Sequence, residues 1–301
     1  MEMIELAPDI YYIPGKNQSR FPYCACFYLK GKNMRVLIDA GMGTRNMAPV
    51  KKMGIDVLLF SHCHIDHRLT QQAIADVPVW CHVKEEPFFR DKEKLFSGIG
   101  FSRSGIDVNH LFKNASGTLN IEVARTLTDS ERIDLGGLTL EVLHTPGHTP
   151  GHLAFYIPEH KLLFSADIDL TPFGPFYGHD FADIEDFIKS IERLKQIKAK
   201  IVATGHAGPF DHGISEKFEA YRKIIDLRDQ QLLSRLDKPR TLEWFKGRNL
   251  FYSTYPDYPD LIQWFELVHI EKHLARLANM GKVVENSGHW QRRAKRIEHG
   301  A

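Results

Sequence analysis

The 301-residue chain has little of several things, and each shortage excludes a class of protein. It has no excess of charge: 39 Lys and Arg stand against 38 Asp and Glu, for a formal net charge of +1. A whole-molecule attraction to nucleic acid or an anionic membrane is therefore not expected. No apolar run approaches the roughly 20 residues needed to span a bilayer. The opening MEMIELAPDI places two acidic residues before any apolar stretch, which is not the pattern of a signal peptide. The expected location is the cytoplasm, with no membrane partner. Cysteine is scarce, with Cys24, Cys26, Cys63 and Cys81 only. Cys24 and Cys26 share one face of a strand-like segment, where small apolar packing in a reducing compartment is favoured over metal ligation. No repeat of fixed period and no low-complexity tract is present. A GMG turn at Gly41–Gly43 lacks the third glycine and the helix of a dinucleotide fingerprint.

Histidine is what the chain has in quantity, with 16 residues, several of them clustered. The first cluster is SHCHIDH, Ser61 to His67, directly after the apolar run VLLF. His62 and His64 are two apart, so in an extended segment both rings point the same way and Cys63 points oppositely, into packing. Asp66 and His67 follow at a turn into a helix. Imidazole nitrogen and carboxylate oxygen are the donors that zinc and similar divalent ions prefer. A polar cluster at the edge of a core is costly unless something neutralises it, and a cation does. Three further features lie at the ends of apolar strands or just beyond: His148 in HTPGHTPGH, Asp167 in FSAD and His206 in ATGH. If these ends share one rim, His62, His64, Asp66, His67, His148, Asp167 and His206 suffice for two metals. Any one histidine alone is more often a surface or satisfied core residue; order and spacing together carry the argument. His144 and His152 flank the Gly-Pro turn and are not read as ligands. His82, His110, His160 and His212 belong to no pattern.

Around these residues, strand runs recur in two halves with helices between and after them. IYYIPG, CACFYLKG, MRVLIDAG and IDVLLFSH form the first series, and RIDLGGLTLEVLHTPG, HLAFYIPEHKLLFSAD and KIVATGH the second. LTQQAIADV reads as a short helix, and residues 84–120 as irregular. DIEDFIKSIERLKQI carries apolar residues at helical spacing. The expected architecture is α/β, two sheets face to face with helices outside, a four-layer αββα sandwich. From about Phe218 the character changes to helix, a short helix in PRTLEWFKG capped by Thr241, a long helix ending before Gly281, and the hairpin KVVENSGHWQRR. The expected division is residues 1–213 and a small C-terminal helical, winged-helix-like module at 214–301.

With these motifs in place, the sequence resembles the metallo-β-lactamase superfamily, nearest the glyoxalase II-like hydrolases, over about Met1 to Gly213. The resemblance implies that His62, His64 and His148 hold one metal, that Asp66, His67 and His206 hold the second, and that Asp167 bridges them. Asp39, in LIDAG, matches the family's acidic residue behind the ligands. The reaction class is hydrolysis of an ester, thioester, lactone, amide or phosphodiester, with Asp66 as catalytic residue orienting hydroxide or carrying a proton. Zinc is the expected metal; iron and manganese accept the same donors. Phe176, Tyr177 and His179 come from a loop expected near the pocket, although His179 itself belongs to no pattern; Phe88, Phe89, Phe96, Phe101 and Phe173 come from segments expected to edge the site. The tail resembles, more loosely, the winged-helix-like end of lactamase-β-like proteins, some of which are endoribonucleases. From Gly281 on, Lys282, Arg292, Arg293, Lys295 and Arg296 stand against Glu285 and Glu298, a mild basic patch. Three functions remain: a hydrolase of a small-molecule substrate, a single-strand endoribonuclease binding RNA through the tail, and a non-enzymatic metal- or metabolite-sensing regulator. The tail otherwise packs on the core, shapes the pocket or supports a homodimer.

Overall fold

A computed structural model describes residues 3–107, 119–252 and 258–293. His110, Lys295, Arg296 and Glu298 lie outside the described residues. Fourteen strands and six α-helices organise the described part. The first sheet is built in chain order from β1 (Ile4–Ala7), β2 (Ile10–Ile13), β3 (Cys26–Lys30), β4 (Arg35–Ile38), β5 (Val57–Leu59), β6 (Val79–His82) and β7 (Arg125–Leu127). It is antiparallel as far as β4 and parallel from there on. Its helices are α1 (Thr44–Met53), α2 (Glu86–Arg90) and α3 (Lys92–Ile99). The second sheet holds β8 (Arg132–Asp134), β9 (Thr139–His144), β10 (Leu153–Ile157), β11 (Leu162–Phe164) and β12 (Ile201–Ala203). Its order is β12-β11-β10-β9-β8, with only β11 and β12 parallel. The later helices are α4 (Ile184–Lys195), α5 (Ile214–Leu233) and α6 (Pro259–Asn279), followed by the hairpin β13 (Val283–Asn286) and β14 (His289–Arg292).

Side-chain alternation turns these strands into layers. Phe27, Leu29, Val36, Ile38, Val57 and Leu59 of the first sheet meet Leu153, Phe155, Ile157, Leu162, Phe164 and Ala203 of the second in a core between the sheets. Phe27 stacks on Phe164 across that core, ring centroids 5.1 Å apart and nearly parallel. The intervening residues face outward: Cys26, Tyr28, Leu37 and Leu58 toward α1 and α3, and Ala154, Leu163 and Val202 toward α4 and α5. The result is the expected four layers. Cys63 points into the outer layer, away from His62 and His64, and all four cysteines are buried thiols.

Local structure departs from the sequence reading in three places. Residues 84–120 are not irregular throughout: α2 and α3 occupy Glu86 to Ile99. Asp91 starts α3 by accepting the N–H of Glu93 at 2.9 Å, and Gly100 ends it at φ 93°. The stretch expected as a helix after Leu69 is a single 3₁₀ turn, Gln71–Ile74. Residues Glu243–Phe245 likewise form one 3₁₀ turn, with Thr241 Oγ1 accepting from the Trp244 N–H as anticipated. Both are too short for a fourth-residue ladder to outweigh nucleation. The C-terminal order is thus helix, turn, helix, hairpin. Ser287 and Gly288, both left-handed, make its two-residue reversal.

The first half of α5 (Phe218, Tyr221, Ile225) packs with α4 and the second sheet. Its end, Leu232, joins Leu236, Phe245, Ile270, Leu274, Leu277 and Val283 in a separate core. Among the described residues no helix is long and apolar enough to cross a membrane.

Candidate metal centre

Five strands deliver the site from their carboxyl ends. Asp39 follows β4, the His62–His67 segment follows β5, His148 lies between β9 and β10, Asp167 follows β11, and His206 follows β12. Asp66 and His67 sit on a 3₁₀ turn, Ile65–His67, rather than at the start of a helix. Asp39 itself adopts φ 63°, a left-handed conformation uncommon outside glycine that places its carboxylate beneath the histidine segment.

Each histidine of the set has one ring nitrogen engaged by the protein, which fixes the nitrogen left over. Ser61 donates its hydroxyl to Asp39 Oδ2 at 2.8 Å, so its oxygen is free to accept His62 Nδ1–H at 3.0 Å. His67 Nδ1–H donates to Asp39 Oδ2 at 2.9 Å. His148 Nδ1–H donates to the Phe176 carbonyl at 2.8 Å, and His206 Nδ1–H to the Ser19 carbonyl at 2.7 Å. His64 is turned the other way: its Nε2 pairs with His179 Nδ1 at 2.7 Å, so its Nδ1 faces the group. The remaining nitrogens converge. His62, His64, His148 and Asp167 each bring one donor atom into a group no wider than 4.8 Å, and Asp66, His67 and His206 form a second such group.

Asp167 joins the two. Its Oδ2 lies 3.1 Å from His148 Nε2, 3.8 Å from His62 Nε2 and 3.4 Å from His206 Nε2. Its Oδ1 is 2.9 Å from His67 Nε2, yet neither atom is in hydrogen-bonding alignment with any partner. Asp66 Oδ2 is 3.5 Å from His206 Nε2. Gly205 leaves the room: a Cβ there would come within 2.9 Å of Asp167 Oδ1.

Whether these residues suit a divalent cation is decided by their orphaned atoms. Buried His62 Nε2, His67 Nε2 and Asp167 Oδ1 have no hydrogen-bond partner among the described residues. His148 Nε2, unprotonated because its Nδ1–H is given to the Phe176 carbonyl, stands 2.9 Å from His64 Nδ1. Only a proton or a cation between them satisfies both nitrogens. Burial, then the neighbouring imidazoles, holds His62 and His64 well below the ordinary histidine range. Burial would raise the Asp167 carboxyl, but His67, His206, His62 and His148 outweigh it and hold it well below the usual range. A nitrogen-rich pocket around one shared carboxylate fits divalent-cation binding.

The loop after Phe173 is placed only partly as the sequence suggested. His179 is buried against His64, and Phe176 lies edge-on to His148 with ring centroids 5.9 Å apart. Tyr177 does not line a pocket: it is fully buried, its hydroxyl 2.8 Å from His273 Nε2 on α6. Phe89, Phe96 and Phe101 are core residues of the outer layer, because α2 and α3 bury them. Sequence reasoning missed Ser61, whose proximity to His62 was its only signal, and Phe181, which lies parallel to the His64 ring at 5.9 Å. His152 is neither solvent-exposed nor in the donor groups. Its Nδ1 pairs with Thr145 Oγ1 at 2.8 Å, and burial pushes its pKa down to about 3.

Two packed sheets that gather imidazoles and carboxylates at one rim define a metallohydrolase scaffold with a His/Asp metal-binding cluster. A family model described as the metallo-beta-lactamase superfamily matches residues 20–206, and the chain belongs to that superfamily. A Beta-lactamase-like protein 2 homolog of Caenorhabditis elegans is 26% identical over 166 residues, 55% of this chain and 53% of that protein. The chain thus spans about half the length of that relative. The Drosophila melanogaster homolog is 24% identical over 265 residues, 85% of this chain and 82% of its own. The Probable metallo-hydrolase YqgX of Bacillus subtilis is 27% identical over 151 residues, 48% of this chain and 64% of its own. Among solved structures, a metallo-beta-lactamase family protein of Thermus thermophilus, TTHA1429, superimposes with a TM-score of 0.76 at 23% identity, over 96% of this chain and all of that one. TTHA1623, described in a di-iron-bound form, superimposes with a TM-score of 0.50 at 24% identity, over 72% of this chain and 97% of its own. At those identities the structures speak for the fold.

Proposed function

We propose that the chain hydrolyses a small-molecule ester, thioester or lactone at a centre that holds two divalent metal ions. The observation that carries this reading is the convergence of ring nitrogens on either side of one carboxylate, with buried His62 Nε2, His67 Nε2 and Asp167 Oδ1 left without a hydrogen-bond partner among the described residues. His62 Nε2, His64 Nδ1 and His148 Nε2 would hold one ion; Asp66, His67 and His206 would hold the other; Asp167 would serve both. When bound, such a pair supplies an acidified water, its pKa lowered from about 15.7 toward 7, and a Lewis acid for the scissile carbonyl.

The chain's own residues do the rest. Asp39 and Ser61 hold His62 and His67 in the tautomers that present Nε2, and the Ser19 carbonyl does so for His206. Asp66, buried but for one edge, is placed to orient the attacking water and to carry its proton to the leaving group. No buried serine or cysteine is needed as nucleophile: burial pushes the Cys63 and Cys24 thiols well above their ordinary range, so both stay protonated. Nitrogen and oxygen donors favour zinc and admit iron and manganese. The di-iron form of the structurally similar TTHA1623 supports keeping iron in the assay.

The test pairs metal analysis of the purified protein with a panel of thioesters, lactones, phosphodiesters and short RNA. The wild type is expected to hold about two ions per chain and to turn over a carbonyl substrate. His62→Ala and Asp167→Ala should each lower metal content and cut turnover by about a hundredfold or more. Full turnover in either variant would refute the assigned roles. Exclusive cleavage of RNA, with binding that weakens steeply in salt, would replace the small-molecule reading.

A further inference from the structure

Residues 176–179 touch the first donor set twice. The Phe176 carbonyl accepts from His148 Nδ1, and His179 Nδ1 pairs with His64 Nε2. These two bonds decide which nitrogen each ring presents. The segment has no strand partner to hold it, so its position must come from elsewhere. It comes from α5 and α6. Tyr177 lies between the two bonded residues, and its backbone N–H donates to His269 Nε2 at 2.7 Å. Its hydroxyl donates to His273 Nε2 at 2.8 Å and accepts from Arg228 Nη1 at 3.0 Å. His273 Nδ1–H is in turn bonded to Asp229 Oδ1 at 2.6 Å, and Arg276 Nε to Asp229 Oδ2 at 3.1 Å. Arg228 also donates to the Phe173 carbonyl at 2.9 Å and to that of Pro175 at 2.5 Å. His269 Nδ1 is bonded to the Tyr252 hydroxyl. Tyr177, His269 and His273 are all fully buried.

This chain of bonds reaches one donor set and not the other. His67 is held by Asp39 and His206 by the Ser19 carbonyl, and neither of those touches residues 173–179. We propose that Tyr177 is a positioning residue through which α5 and α6 set the affinity of the His62–His64–His148 group for its metal, more than that of the Asp66–His67–His206 group. The C-terminal helices thereby support half of the centre from behind its ligands. Partners bonded directly to ligands ordinarily change metal affinity by about 10- to 100-fold, and Tyr177, one residue further out, belongs at the lower end of that range. The inference rests on the two-metal reading above.

The experiment is a cobalt(II) titration of the metal-free full chain, followed by absorbance, with thermal unfolding measured in parallel. His148→Ala and His206→Ala identify which binding step belongs to which donor set. Tyr177→Phe deletes one hydroxyl, His269→Leu removes the acceptor of the Tyr177 N–H, and His269→Gln restores an acceptor. Tyr177→Phe and His269→Leu are expected to weaken the first-set step by about 10-fold and the second-set step by less, with recovery in His269→Gln. Two unchanged steps, or two steps weakened alike, would overturn the proposal; the latter is what mere loosening of the fold produces. Should His269→Leu fail to fold, Tyr177→Phe decides alone. A wild type that takes up fewer than two cobalt ions would instead sink the dinuclear reading, whatever the variants do.

Discussion

Ser61 has one hydroxyl proton and two neighbours that want it, Asp39 and His62, and the carboxylate takes it. That choice turns His62 Nδ1 into the donor and sends its Nε2 lone pair into the site. The spacing H-x-H-x-D-H made the ligand candidates legible because a two-residue period fixes which rings share a face. It could not show the partners that select the tautomers. His179 is 115 residues from His64 in the chain, and the Ser19 carbonyl is 187 from His206, so neither contact has a local signature. A different histidine pair makes a prediction about acid. His82 and His144 stack with centroids 4.1 Å apart and rings 11° from parallel. Burial, then His144 and Lys84, push the His82 pKa down to about 4, while Asp129 and Glu131 oppose the shift weakly. Between about pH 6.5 and about pH 4 the unfolded chain therefore binds a proton that the folded chain refuses, and stability falls as pH falls. His82→Asn keeps an acceptor for the Lys84 N–H that His82 Nδ1 now accepts at 3.2 Å. In urea titrations at pH 7 and pH 5, this variant should lose on the order of 1 kcal/mol less than the wild type. Equal losses would show that His82 already titrates normally.

At the scale of elements, strands were readable and short helices were not. β3, β4, β5, β10 and β11 bury both faces, so their apolar runs stand out against the Gly and Asp that end them. α4 was readable too, from the spacing of Phe187, Ile191 and Leu194; its cap, Asp183, came from the fold. α2 and α3 together span fewer than four turns, and Pro87, Asp91 and Gly98 gave that stretch the composition of a loop. What makes α3 a helix is the cap at Asp91 and a buried face, Leu95, Phe96 and Ile99, which only the folded chain supplies. The turn that carries His148 is decided by Gly147. It sits at φ 126°, and a Cβ there would come within 2.2 Å of the Phe187 backbone nitrogen on α4. The Gly147 carbonyl also accepts the Asp183 N–H at 2.8 Å, so the turn cannot slide away from the helix without losing a bond. Gly147→Ala should destabilise the fold by about 2 kcal/mol or more and weaken metal binding in the same variant. Denaturant unfolding and metal content read the two effects, and a variant with wild-type values of both would show the turn to be slack.

At the scale of the whole molecule, α5 is the element that matters, because one continuous helix contributes to two cores. Phe218, Tyr221 and Ile225 belong with the second sheet, whereas Leu232 belongs with α6 and the hairpin. The change of composition near Phe218 was visible in the sequence. The continuity was not, since a helix that passes from one core to another keeps its period while its neighbours change. α6 adds a further link through His269, His273 and Arg276, which bond to Tyr177 and Asp229. A contact network of this kind predicts one cooperative unfolding event for the described chain rather than two. Leu274, 1% exposed and far from every metal donor in the sequence, is the probe. Leu274→Ala removes buried methyl groups from the C-terminal core at a cost of about 2–5 kcal/mol. If the cores are coupled, Trp80 in β6 and Trp290 in β14 should report the same lowered midpoint, and the metal should be released over the same denaturant range. If α5 merely tethers two independent units, the Trp290 transition should move and the Trp80 transition should stay. Variants that retain a single tryptophan at either position separate the two signals, and splitting of the midpoints would place a true domain boundary within α5.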